Sequence, residues 1–185
     1  MAGDQAMSRA AENGAATFPV ILIGAPGAGK TTVGTLLADR LSVSFTDTDA
    51  AIEAAVGKLV SDIFIEDGEP EFRRLERDAV AAALADTHGV IGIGGGAVMD
   101  TQTQSRLAGR RVVYLETGFT ELAKRVGFDR PRPLLVGTNP RAQLKALLDQ
   151  RLPVYDSLAW LTVVTDGREP LDIAAEIAAA LEACQ

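Results

Sequence analysis

Apolar residues fall along this chain in two alternating rhythms. Short apolar strand-like runs stand at residues 20–23, 43–46, 90–93, 112–115 and 161–164, each of strand length. Between them apolar positions recur at helical spacing: Val33, Leu36, Leu37 and Leu41 in one segment, Phe72, Leu75, Ala79, Val80 and Ala83 in a second, Ile173, Ile177, Leu181 and Cys184 in the last. Strand runs alternating with helical stripes predict an α/β fold in which a parallel sheet is covered on both faces, the stripes forming core contacts. In such a sheet ligands gather at the carboxyl ends of the strands, so chemistry is expected in the residues directly after each run.

At 185 residues and 47% apolar content the chain can bury one sizeable core. Residues 1–17 are small, polar and of mixed charge, which predicts a disordered tail and leaves 18–185 as a single domain. This stretch lacks a basic start and an apolar h-region, its Asp4 and Glu12 sit badly in a transit sequence, and no apolar run reaches bilayer length. A cytoplasmic protein with no membrane partner is therefore expected. The formal charge of −7 offers no basic stripe for nucleic acid. A lone cysteine, Cys184, excludes a disulfide within the chain and fits a reducing compartment.

The first strand run leads straight into Gly24-Ala-Pro-Gly-Ala-Gly-Lys-Thr31, which matches G-x-x-x-x-G-K-S/T at every fixed position. Gly24, Gly27 and Gly29 let the backbone turn its amides inward as an anion nest, and a helix starting near Lys30 adds its positive end. Lys30 can reach the β- and γ-phosphates of a nucleoside triphosphate, and the Thr31 hydroxyl suits Mg²⁺.

After the second run comes Asp47-Thr-Asp49, whose carboxylates would share one side of an extended chain. Two readings stand: Asp49 caps a helix over 50–56, or Asp47 serves Mg²⁺ while Asp49 faces an acceptor. The third run ends in Gly94-Gly-Gly96, either a simple turn or a place where backbone approaches a second anionic ligand. Glu116, at the end of the fourth run, is set aside as a metal ligand because Asp47 already offers a carboxylate.

Arg73 fits a surface ion pair with Glu69 or Glu76 as readily as a ligand contact, and Arg151 fits a helix end before Pro153 as readily as an anion site. The segment 126–137, with Arg130, Arg132, two prolines and a glycine near each end, reads as a lid that brings Arg132 over the phosphates. His88 is assigned no chemistry, and Tyr155 and Trp160 are read as core residues.

Five elements in this order, the Gly24–Thr31 loop, Asp47-Thr-Asp49 followed by Ile52-Glu53, Asp67-Gly-Glu69 with Glu71-Phe-Arg-Arg74, Gly94-Gly-Gly96, and Arg132-Pro-Leu-Leu135, resemble the shikimate kinase family over residues 18–181. That family is a small member of the nucleoside monophosphate kinase-like group. The resemblance implies a three-layer αβα fold, a five-stranded sheet of order 2-3-1-4-5, and transfer of the ATP γ-phosphate to the 3-hydroxyl of shikimate. It implies ATP binding by Gly27, Ala28, Gly29, Lys30, Thr31 and Thr32, with Arg125 and Arg168 near the adenine. Asp49, Arg73, Arg151 and the glycines Gly94, Gly95 and Gly96 would bind shikimate. Lys30 and Arg132 would stabilise the transferring group, Asp49 would take the hydroxyl proton, and Thr31 and Asp47 would hold Mg²⁺. A monomer is expected. Two departures are small: Thr31 stands where Ser is also common, and Arg130 adds a charge to the lid. A gluconate kinase shares the loop and a carboxylate-bearing acceptor. A GTPase switch would need N-K-x-D, which neither Asn13 nor Asn139 begins, and a silent homologue should lack one of Lys30, Asp47, Asp49, Arg73, Arg132 or Arg151.

Overall fold

The computed structural model describes residues 19–85, 88–126 and 139–184. The expected tail over 1–17 and nearly all of the expected lid, with Arg130 and Arg132, lie outside them. In chain order the elements are β1 (Val20–Ile23), α1 (Lys30–Leu41), β2 (Phe45–Asp47), α2 (Thr48–Val56), α3 (Val60–Glu66), α4 (Glu69–Ala85) and β3 (Val90–Gly92). A 3₁₀ turn (Ala97–Met99), α5 (Thr101–Leu107), β4 (Arg111–Glu116), α6 (Phe119–Val126), α7 (Pro140–Leu158), β5 (Leu161–Val164) and α8 (Pro170–Ala183) follow.

The five strands form a parallel sheet in the order β2-β3-β1-β4-β5. Strand β1 lies at its centre, Ile21 pairing with Ile91 on one side and Val112 on the other. Its four side chains are all buried, and the period-two alternation divides them between two cores. Val20 and Leu22 pack with Val33 and Leu37 of α1 and Ile173 and Ile177 of α8. Ile21 and Ile23 pack on the other face with Val80 of α4 and Tyr155 of α7. A smaller cluster of Ile52, Ile63 and Phe72 joins α2, α3 and α4 beside the sheet.

Four expectations need correction. The second strand begins at Phe45, because Val43 still donates its amide to Ala38 and closes the end of α1 through Ser42, at φ 57°. Helix α2 begins at Thr48 with Asp47 as its cap, accepting from the amides of Asp49 and Ala50, so Asp49 is not the cap and the chain is not extended across the pair. Helix α7 runs on through Pro153, so Arg151 sits within it. Both Pro153 and Asp149, whose carbonyl loses its partner there, face solvent, where water can replace the missing bond. Cys184 is exposed beyond the last turn of α8 and takes no part in the stripe.

Candidate active site

A cleft of about 610 Å³ opens at the carboxyl ends of β1, β2 and β3. The loop leaving β1 forms its floor. Gly27 and Gly29 take φ of 88° and 93°, a turn that side chains resist, and Gly29 caps α1 without a side-chain hydrogen bond. The first amides of α1 therefore meet the cleft with no side-chain acceptor, as an anion site requires. Lys30 folds back over the loop, its Nζ donating to the carbonyls of Gly24 at 2.9 Å and Ala25 at 3.1 Å. Burial pulls its pKa down to about 8, against the opposing charges of Asp49 and Asp47. Ala28, Thr31 and Thr32 complete this wall.

The Thr31 hydroxyl donates to Asp47 Oδ2 at 2.7 Å, which brings the loop and the end of β2 together. Thr48 is fully buried, and its hydroxyl accepts from the Gly94 amide at 3.1 Å. Asp49, one residue further into α2, lines the cleft with Gly94. Its Oδ1 is buried and has no hydrogen-bond partner. Desolvation, reinforced by the Asp47 charge, raises its pKa above the ordinary carboxylate value, with Lys30 pulling the other way.

The glycine turn exists because the side chains of five residues already fill the space. A Cβ at Gly94 would lie 2.6 Å from Asp49 Oδ1 and 2.9 Å from Glu76 Oε1; one at Gly95, 2.9 Å from Pro26 Cδ. At Gly96 it would lie 2.6 Å from one nitrogen of Arg73 and 3.1 Å from one of Arg151. Two guanidiniums thus converge on the end of the turn. Arg73 is paired with both Glu69 (3.1 Å) and Glu76 (2.6 Å), so the ion pair and the inward placement occur together. Glu76 itself is 3% exposed, and burial raises its pKa despite Arg73. Arg151 is equally buried, at 3%, and makes no ion pair among the described residues.

On the outer wall Arg125 donates to the carbonyl of Thr165 (3.3 Å) and pairs with Glu121 (2.9 Å), while Arg168 pairs with Glu176. Both line the cleft. Thr117 and Thr165 share a buried hydroxyl contact of 2.6 Å, and the Asp166 carboxylate accepts from the Gly118 amide at 2.9 Å.

Residue by residue, the cleft lining brings together Gly27, Ala28, Gly29, Lys30, Thr31, Thr32, Asp47, Asp49, Gly94, Arg125 and Arg168. Gly95, Gly96, Arg73 and Arg151 stand just beyond it, joined to it through the glycine turn. Glu116 is exposed at the end of β4 and takes no place in the lining. Sequence reasoning placed Tyr155 in the core, as found, and missed Thr48, Glu76 as a buried group and Thr165. Thr48 stands between two acids already singled out, and Glu76 lies three residues from Arg73, so both were within reach of motif reasoning.

The shikimate kinase family model matches residues 26–182. The chain belongs to the shikimate kinase family. A shikimate kinase of Thermobifida fusca is 61% identical over 163 residues, which is 88% of this chain and 94% of that one. A shikimate kinase of Frankia casuarinae is 56% identical over 162 residues, 88% of this chain and 72% of that one. Among solved structures, a shikimate kinase of Acinetobacter baumannii in complex with shikimate superposes with a TM-score of 0.87 at 34% identity, covering 96% of this chain and 98% of that one. As a shikimate kinase family member the chain is an ATP-dependent phosphotransferase, and its sheet order is the one that the resemblance implied. No described helix is long and apolar enough to cross a membrane.

Proposed function

We propose that the protein transfers the γ-phosphate of ATP to the 3-hydroxyl of shikimate, giving shikimate 3-phosphate and ADP. The observation that carries the acceptor side is the convergence of Arg73 and Arg151 on Gly96, beside the unpartnered oxygen of Asp49. A buried guanidinium with no ion pair among the described residues is costly, and an acceptor carboxylate would supply a direct partner for Arg151. Two arginines gripping that carboxylate would hold the ring against the glycine turn, with a hydroxyl directed at Asp49.

Asp49 then accepts the hydroxyl proton as the oxygen bonds to the γ-phosphorus, and the bond to the bridging oxygen breaks to leave ADP. Its raised pKa makes it a better proton acceptor than an ordinary aspartate. Lys30 exchanges its backbone carbonyls for phosphate oxygens, and Arg132 of the lid joins it to stabilise the charge of the transferring group. Arg125 and Arg168 flank the adenine. The Thr31 hydroxyl and Asp47 carboxylate are hard oxygen donors suited to Mg²⁺, and no group of three or more acidic, His or Cys ligands competes among the described residues. Bound there with the phosphates, the ion would neutralise developing charge. Nothing in the reaction needs a second copy of the chain, and the protein is read as a monomer.

The test is ADP release from Mg-ATP with shikimate, gluconate or a nucleoside monophosphate as acceptor. Strong stimulation by shikimate alone is expected; stimulation by gluconate alone would keep the fold and overturn the acceptor pocket.

A further inference from the structure

We infer that Tyr155 is a positioning residue, which aims Arg151 and fixes the glycine turn against the phosphate loop; this rests on the acceptor reading above. Tyr155 is fully buried in α7, its ring stacked on Tyr114 of β4 with centroids 5.0 Å apart and planes at 22°. Packing alone would be satisfied by phenylalanine. The hydroxyl donates to the Gly95 carbonyl at 2.6 Å, one residue before Gly96, where a nitrogen of Arg151 would lie 3.1 Å from a Cβ, so the phenol and the guanidinium meet the same turn, and the Arg151 charge acts on the phenol. Arg151 and Tyr155 are four residues apart and so share one face of the helix.

The choice of a phenol has a chemical reason. A carboxylate at this place would orient Arg151 but also neutralise it, whereas a neutral hydroxyl fixes its direction and leaves the full charge for an incoming anion. On its other side Gly95 is packed against the donor loop, since a Cβ there would lie 2.9 Å from Pro26 Cδ and 3.1 Å from the Gly24 carbonyl. The path Arg151, Tyr155, Gly95, Pro26 therefore sets the spacing between the two substrates.

Tyr155→Phe removes one oxygen and keeps the ring stack. The expected result is a KM for shikimate raised about tenfold with the KM for ATP within about twofold of wild type, the scale of one buried hydrogen bond. Because Tyr155 acts through Arg151, the double variant Tyr155→Phe/Arg151→Ala should bind shikimate no more weakly than Arg151→Ala alone, read by titration calorimetry with ADP present. A purely structural tyrosine would lower the melting midpoint and leave the shikimate KM unchanged; that result, or additive losses in the double variant, would overturn the inference while the acceptor pocket stands. An unchanged shikimate KM in Arg151→Ala would overturn the pocket and this inference with it.

Discussion

Asp49 Oδ1 shows what the residue proposed as proton acceptor costs the fold. A buried carboxylate oxygen with no partner forfeits on the order of 1–3 kcal/mol, and the neighbouring Asp47 charge adds to the strain on its ionised form. Nothing about the fold requires an acid there, since Asp47 already caps α2 and Thr48 already holds the Gly94 amide. Asparagine would fill the same space without accepting a proton. Asp49→Asn is therefore expected to lower kcat by roughly a hundredfold or more, with ADP affinity unchanged by calorimetry; wild-type turnover would remove Asp49 from the chemistry. The sequence made Asp49 visible through its spacing from Asp47. It could not decide which acid caps the helix, because capping depends on where the backbone leaves the extended region, two residues earlier than the expected helix over 50–56.

The glycine turn and helix α7 carry the comparable lesson for elements. Three glycines after a strand are readable as a turn or as an approach site for a ligand, and the contacts at Gly94 and Gly96 add a steric reason neither reading used, since the side chains of Asp49, Glu76 and Arg73 leave no room for a Cβ. Gly94→Ala would set a methyl group 2.6 Å from Asp49 Oδ1 and is expected to abolish most phosphoryl transfer at a melting midpoint lowered only modestly. Assaying shikimate-dependent turnover beside thermal unfolding would check this, and a variant of full activity would refute the tight fit. Four of the strands were legible as short apolar runs with edges within one residue of those expected, while β2, Phe-Thr-Asp, begins two residues late because Val43 still closes α1. Helix α7 was not legible, since Pro153 is a strong local stop signal and only the exposure of its face makes the missing hydrogen bond tolerable. The placement of Tyr155 beside Arg151 stayed hidden for the same reason: with the helix cut at Arg151, the two could not be placed on one face.

For the molecule as a whole, the contacts that position the site link residues far apart in sequence, which local patterns cannot report. Gly95 and Tyr155 are 60 positions apart, and Thr117 and Thr165 are 48 apart. The second pair, with the Asp166 carboxylate on the Gly118 amide, clasps the ends of β4 and β5 and carries the wall where Arg125 and Arg168 stand. Asp166→Ala should raise the KM for ATP by about threefold, as expected for an exposed hydrogen bond to a charged group, and leave the KM for shikimate alone. A matching rise in both would mean that the clasp serves the fold rather than the nucleotide wall. Helix α7 bears on the same division between substrates. Its Leu144 and Leu148 belong to the core beneath the nucleotide loop, and its Tyr155 belongs to the core on the opposite face of the sheet. One rigid rod is thus seated in both halves of the enzyme. New acceptor specificity could be grafted through α3 and α4 without touching the ATP half, but a graft that replaced α7 would break the gauge that both halves are cut to.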